Sequence, residues 1–242
     1  MRLTDALRLR PGMSVAFTGA GGKSSSLATL AQETRGRFPI VLTTTTRLAI
    51  AQRSIADEHV VVTTAEDARR LSLRADRTML VTGPAEEEEG KLLGLADDLL
   101  AEVTRRAWGE GALVAIEADG ARGRWLKAPA AHEPVVPSWI DIVVPVAGLQ
   151  AIGSPLTAQI AHRPELVGRL LALEQGEILT AEHLAALLLS SDGGLKGIPA
   201  QAEVRVLLNG IDRVPAAAAH EVGGRLLANP RVRAVLTGES DT

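Results

Sequence analysis

The sequence predicts an α/β fold built on a doubly wound, mainly parallel sheet flanked by helices. Three observations carry that reading. Eight short apolar runs recur along the chain, at 13–18, 39–43, 59–63, 78–82, 112–118, 140–146, 203–208 and 233–237. Most are rich in Val and apolar on both faces, as strands covered by helices on both sides require. Segments of helical period alternate with them at 25–35, 64–70, 95–108, 164–175, 181–189 and 215–227, the spacing of a three-layer sandwich. Thr180, followed by Glu182 and His183, marks the start of one of these helices. The third observation is bulk: 242 residues, 46% hydrophobic and 23% charged, suffice for one sizeable core. The simplest organisation is a single domain over residues 1–242. An irregular loop at 120–137 and a helical insertion around 162–198 elaborate it.

Composition removes several classes of function. A net charge of −3 leaves no basic stripe to neutralise a duplex, and two Phe, three Trp and no Tyr leave few platforms for single-stranded bases. No nucleic-acid partner is expected. With no cysteine, disulfides, thiolate metal sites and thiol nucleophiles are excluded. No run approaches the roughly 20 apolar residues of a membrane span. The first residues lack a signal peptide's apolar core, so a cytoplasmic protein without a membrane partner is expected. The acid run Glu86 to Glu89 reads as a solvated loop tip.

The first strand carries the most informative motif. Val15 to Phe17 run into Gly19-Ala20-Gly21-Gly22-Lys23-Ser24, and Ser25 opens a helix-competent segment. Glycines let backbone N–H groups approach an anion closely, and the following helix N-terminus adds partial positive charge. Lys23 would then reach the terminal phosphates, and the Ser24 hydroxyl would ligate Mg²⁺. The usual spacing G-x-x-x-x-G-K-[ST] would place its first glycine at Phe17, so only the shorter G-x-x-G-K-S is present. That abbreviated form resembles the loop of Mur-type ligases. The competing reading is a glycine turn with a surface lysine. A dinucleotide fingerprint fails, because its third glycine falls on Ser24 and no acid follows the second strand.

Further candidates follow along the chain. The run from Leu113 ends in Glu117 and Asp119, which period two places on one side of the strand. Glu117 is the expected Mg²⁺ ligand with Ser24, and Asp119 would position water or a switch segment. Asp119-Gly120 also reads as a turn. Thr43 to Thr46 end the second strand at the sheet edge where such folds bind ligands, and Thr45 is the one assigned there. Their alternative roles are strand propensity and a helix cap. In the loop behind the acids, Arg122, Arg124, Lys127 and His132 would face a second substrate or a partner. Asn209-Gly-Ile-Asp212 approximates the N-x-x-D with which proteins read guanine, although Gly210 replaces the lysine that covers the base. Asn-Gly is equally a turn signal.

Together, Thr18 to Ser24, the threonine run, Glu117-Ala-Asp-Gly-Ala-Arg-Gly-Arg124, Lys127-Ala-Pro-Ala-Ala-His-Glu-Pro134, His162-Arg-Pro-Glu165 and Leu208 to Asp212 resemble the YqeC family. The resemblance spans nearly the whole chain. It implies a P-loop NTPase fold and a role as accessory to selenium-dependent molybdenum hydroxylases, with a hydroxylase or cofactor-carrying protein as partner. The acid-ended strand and the Asn-x-x-Asp are also similar to GTPases that deliver nickel to enzymes. The expectation is a Mg²⁺-dependent protein that binds and hydrolyses ATP or GTP in cofactor maturation. The alternatives are a small-molecule kinase or ligase with an anionic acceptor, and a non-catalytic nucleotide-binding adaptor.

Overall fold

A computed structural model of the chain describes residues 1–239. All eight predicted runs are strands: β1 (Ser14–Gly19), β2 (Ile40–Thr44), β3 (Glu58–Val61), β4 (Thr78–Thr82), β5 (Leu113–Glu117), β6 (Ile142–Gly148), β7 (Glu203–Asn209) and β8 (Val232–Gly238). They form an eight-stranded sheet, and the pairs β2–β5, β2–β4, β3–β4, β6–β7 and β7–β8 are parallel. Parallel strands need crossover connections. Helices Lys23–Thr34, Ala65–Arg69, Asp97–Gly109, Pro164–Leu171, Ala181–Leu189 and Ala216–Leu227 lie between them in the chain. Every residue of β2, β4, β5 and β6 is buried, which accounts for their unbroken apolar character.

The described chain divides into two compact units: residues 1–16, 24–120 and 135–141 form the first, and residues 17–23, 121–134 and 142–239 the second. In the first, the strands run in the order β5-β2-β4-β3. Helix Asp97–Gly109 buries Leu100, Val103, Thr104 and Ala107, one face at helical spacing, and places two acids in its first turn, where the helix dipole favours them. A small antiparallel sheet of Arg47–Ala49, Lys91–Leu93 and Ala85–Glu86 was not anticipated. Two of its strands flank the acid run, whose Glu87–Glu89 are exposed at the tip between them. Glu86 ends a strand and Glu87–Glu89 form a 3₁₀ turn. Arg47 pairs with Glu89 at 2.6 Å and with Glu86 at 3.2 Å, and Arg53 pairs with Glu87 at 3.6 Å.

The second unit contains β6-β7-β8. Leu, Val and Ala from these strands and from helices Pro164–Leu171, Ala181–Leu189 and Ala216–Leu227 fill its core, among them Val167, Leu184, Val206, Leu208 and Val222. The expected helix start at Thr180 is present, since its hydroxyl accepts the His183 amide at 3.2 Å. The helix predicted over 164–175 stops at Leu171, because Ala172 turns left-handed at φ 54°. The irregular loop holds a short strand, Leu126–Lys127, paired in parallel with Ala161–His162.

Candidate functional site

In the second unit, the glycine loop is pinned to the carboxyl ends of two strands. The Ala20 amide donates to the Val146 carbonyl of β6 at 3.0 Å. The Asn209 side-chain amide, at the end of β7, donates to the Gly21 carbonyl at 2.7 Å. Gly21 has φ 87°, and a Cβ there would stand 2.5 Å from the Gly148 amide nitrogen. Only glycine fits that approach. Lys23 is 4% exposed. Its ammonium donates to the Gly19 carbonyl at 2.5 Å, curled back over its own loop rather than extended into water. This is not the surface lysine of an ordinary glycine turn.

The Asn209–Asp212 segment begins at the end of β7. The Asn209 amide is engaged by the loop backbone, and the Asp212 carboxylate pairs with Arg213 at 2.9 Å. At Gly210, with φ 78°, a Cβ would lie 2.2 Å from Gln150 Oε1. The left-handed φ favours glycine over a lysine at this position. Gln150, which sequence reasoning passed over, has a buried Oε1 without a hydrogen-bond partner among the described residues.

In the first unit, Ser24 and Glu117 meet. The Ser24 hydroxyl donates to Glu117 Oε2 at 3.0 Å, and Glu117 is buried. A second residue that sequence reasoning missed, Gln52, donates from Nε2 to Ser24 Oγ at 2.5 Å, while its Oε1 accepts the Ala49 amide at 2.8 Å. Gln52 lies in the 3₁₀ turn Ile50–Ile55, and no local motif announces it. Asp119 is also buried. The threonines frame this site: Thr44 Oγ1 donates to the Glu117 carbonyl at 2.9 Å, and Thr45 Oγ1 to the Val135 carbonyl at 2.8 Å. Thr43 Oγ1 is buried with no partner among the described residues.

The donor set suits Mg²⁺. A hydroxyl and a carboxylate are hard oxygen ligands, and Mg²⁺ commonly takes one or two protein oxygens and completes its shell with water and phosphate. Among the described residues no group of three His, Cys, Asp or Glu could hold a metal by itself.

The irregular loop of the second unit encloses ions. Glu133 Oε2 lies 2.9 Å from Lys127 Nζ and 2.6 Å from an Arg163 guanidinium nitrogen, and the Lys127 side chain is 0% exposed. Lys127, expected to face a second substrate or a partner, is thus held inside by Glu133, to which the sequence reading gave no role. Arg122 and His132 are exposed, and Arg122 has φ 51°. Burial alone would raise the Glu133 pKa, but hydrogen bonds from Arg163 and Lys127 bring it down to about 2. His162 is depressed to about 4, first by burial and then by the charges of Arg163 and Lys127.

The two groups set an acid response with a defined order. The folded chain resists protonation of His162 between its ordinary 6.5 and about 4, so stability falls with pH through that window. Glu133 stabilises above its ordinary 4.5, and that contribution is lost as pH falls toward 2. His162→Gln should flatten the loss between pH 6.5 and 4.5 and leave the lower limb. Urea midpoints measured across pH check this. A wild-type slope between 6.5 and 4.5 that persists in the variant would rule out His162 as its source.

A family model for YqeC protein matches residues 15–165, more than half of the chain. The chain belongs to the YqeC family. It is 28% identical over 194 residues to the uncharacterized protein YqeC of Escherichia coli strain K12, covering 76% of this chain and 71% of the relative. The YqeC match contains the glycine loop, the threonine run, Glu117, Asp119 and the Lys127–Glu133–Arg163 ions, whereas Asn209 and Asp212 lie beyond it. No described helix of this YqeC-family chain is long and apolar enough to cross a membrane.

Proposed function

We propose that this YqeC-family chain binds a nucleoside triphosphate as its Mg²⁺ complex and hydrolyses it in the service of cofactor maturation in molybdenum hydroxylases, selenium-dependent ones included. The observation that carries the nucleotide reading is the Ser24–Glu117 hydrogen bond. It joins the residue after the loop lysine to an acid 93 positions away, a link that a plain glycine turn has no use for. The loop amides of Gly19, Ala20, Gly21 and Gly22, with Lys23, would receive the β- and γ-phosphates. Ser24 and Glu117 would hold Mg²⁺, which when bound neutralises charge developing on the phosphates. Asp119 would orient water, and Ser25 adds a helix N-terminal amide.

Arg122 and His132, exposed on the loop behind the acids, would face the maturation partner, a hydroxylase or cofactor-carrying protein. That assignment and the selenium context rest on family resemblance. ATP and GTP are both candidates, because Asp212 stands where a carboxylate would read guanine while Gly210 replaces the lysine that would cover the base.

Calorimetric titration with ATP, GTP and their diphosphates, each with Mg²⁺ and with EDTA, tests the proposal. Saturable binding of a triphosphate that weakens about tenfold or more in EDTA is expected. Absence of binding by every nucleotide would overturn it.

A further inference from the structure

The Ser24 hydroxyl has one proton and two lone pairs. The proton goes to Glu117 Oε2, and one lone pair accepts the Gln52 Nε2–H at 2.5 Å. The orientation of the Gln52 amide is fixed by its other end, since the Ala49 N–H can only donate, and it meets Oε1 at 2.8 Å. A cation bound to Ser24 would draw on the same oxygen that accepts the Gln52 N–H, and the positive end of that amide N–H would stand beside it. The two would compete for the electron density of one oxygen.

Gln52 is also the tie for a whole segment. Its Oε1 caps the 3₁₀ turn Ile50–Ile55 through Ala49. Just upstream, the Thr45 amide and Thr44 hydroxyl are both held by the Glu117 carbonyl, at 3.2 and 2.9 Å. Just beyond, the Ile50 amide donates to the Gly90 carbonyl at 3.0 Å, and Arg47 and Arg53 pair with the acids of the 3₁₀ turn Glu87–Glu89. The side chain and carbonyl of Glu117 therefore grip one side of the segment, and an exposed acidic hairpin is fastened to the other. Ser24 is where the Gln52 side chain joins the two.

We propose that Gln52 is a metal sensor: it holds Ser24 when no metal–nucleotide complex is present, and Mg²⁺ arriving at Ser24 releases it, freeing the turn Ile50–Ile55 and the acidic hairpin beside it. This deepens the proposed nucleotide function and rests on it. The hairpin, with its Arg47 and Arg53 ion pairs, becomes the surface on which nucleotide state is displayed.

Hydrogen–deuterium exchange on the full chain tests the idea, in four states: apo, Mg²⁺ alone, triphosphate with EDTA, and triphosphate with Mg²⁺. Exchange over residues 49–55 should rise at least severalfold with Mg²⁺–triphosphate and stay near the apo rate with triphosphate in EDTA. In Gln52→Ala the same amides should exchange fast in every state. That variant should bind Mg²⁺–triphosphate about threefold to tenfold tighter than wild type, since one neutral hydrogen bond no longer has to be broken. Gln52→Asn, too short to span Ala49 and Ser24, should behave alike and guards against a folding defect in the alanine variant. Protection over 49–55 that does not change on saturating Mg²⁺–triphosphate overturns the sensor while leaving the nucleotide site intact. Weaker binding in both variants overturns it as well, by making Gln52 a supporter of the metal. If no nucleotide binds at all, the proposed function falls and the sensor with it.

Discussion

Lys23→Ala should weaken triphosphate binding by about 100-fold or more while leaving the fold intact. An ammonium offers three donors. One of them meets the Gly19 carbonyl across the loop. A triphosphate would exchange that neutral acceptor for anionic oxygens, and charge-assisted hydrogen bonds contribute about 1.5–3 kcal/mol each. Losing two of them accounts for the expected factor. The loop itself should survive, since it is pinned independently by the Ala20–Val146 and Asn209–Gly21 hydrogen bonds. Titration calorimetry and a thermal melt measured on one preparation separate the two effects. Unchanged affinity in a folded variant would remove Lys23 from the site, and a collapsed melt would make it a structural residue instead.

The second large effect concerns stability. Glu133→Gln should lower it by about 3 kcal/mol, because breaking one side of a buried ion pair leaves an uncompensated charge behind. The Lys127 side chain is wholly buried and the Glu133 side chain 9% exposed, so the ammonium cannot turn to water in exchange. Arg163, at 24% exposure, can do so in part. For a chain of this size the change corresponds to a fall in melting temperature of roughly 6–12 °C. Glutamine preserves volume, which isolates charge from packing. A variant that melts within about 2 °C of wild type would show that the ions are incidental to the fold.

The strands were legible because burial on both faces forces long apolar runs, and all eight were found with ends displaced by only a few residues. The small antiparallel sheet was not, since Arg47–Ala49 and Ala85–Glu86 are too short to show a period and owe their pairing to each other. The loop motif was visible for a related reason. Gly21 and Lys23 must be the residues they are for local backbone and charge reasons, so they leave a local signature. Gln52 acts through a side chain reaching 28 positions back to Ser24, and Glu133 through partners 6 and 30 positions away, which no pattern of neighbours can reveal. The Asn209 reading failed to anticipate a side chain used for loop support because hydrogen-bond partners, unlike residue types, are set by the strand order.

The placement of the indoles has a practical side. The chain has no tyrosine, so its ultraviolet emission belongs to three tryptophans. Trp108 and Trp139, both in the first unit, stand edge to face with ring centres 5.4 Å apart. Trp125 is the indole of the second unit, its carbonyl accepting the Gly148 amide at 2.8 Å on the very residue against which Gly21 is packed. Each unit thus carries its own native chromophore. In a Trp108→Phe, Trp139→Phe background, the remaining emission reports from beside the glycine loop, and occupancy there becomes readable as a colour change without any label.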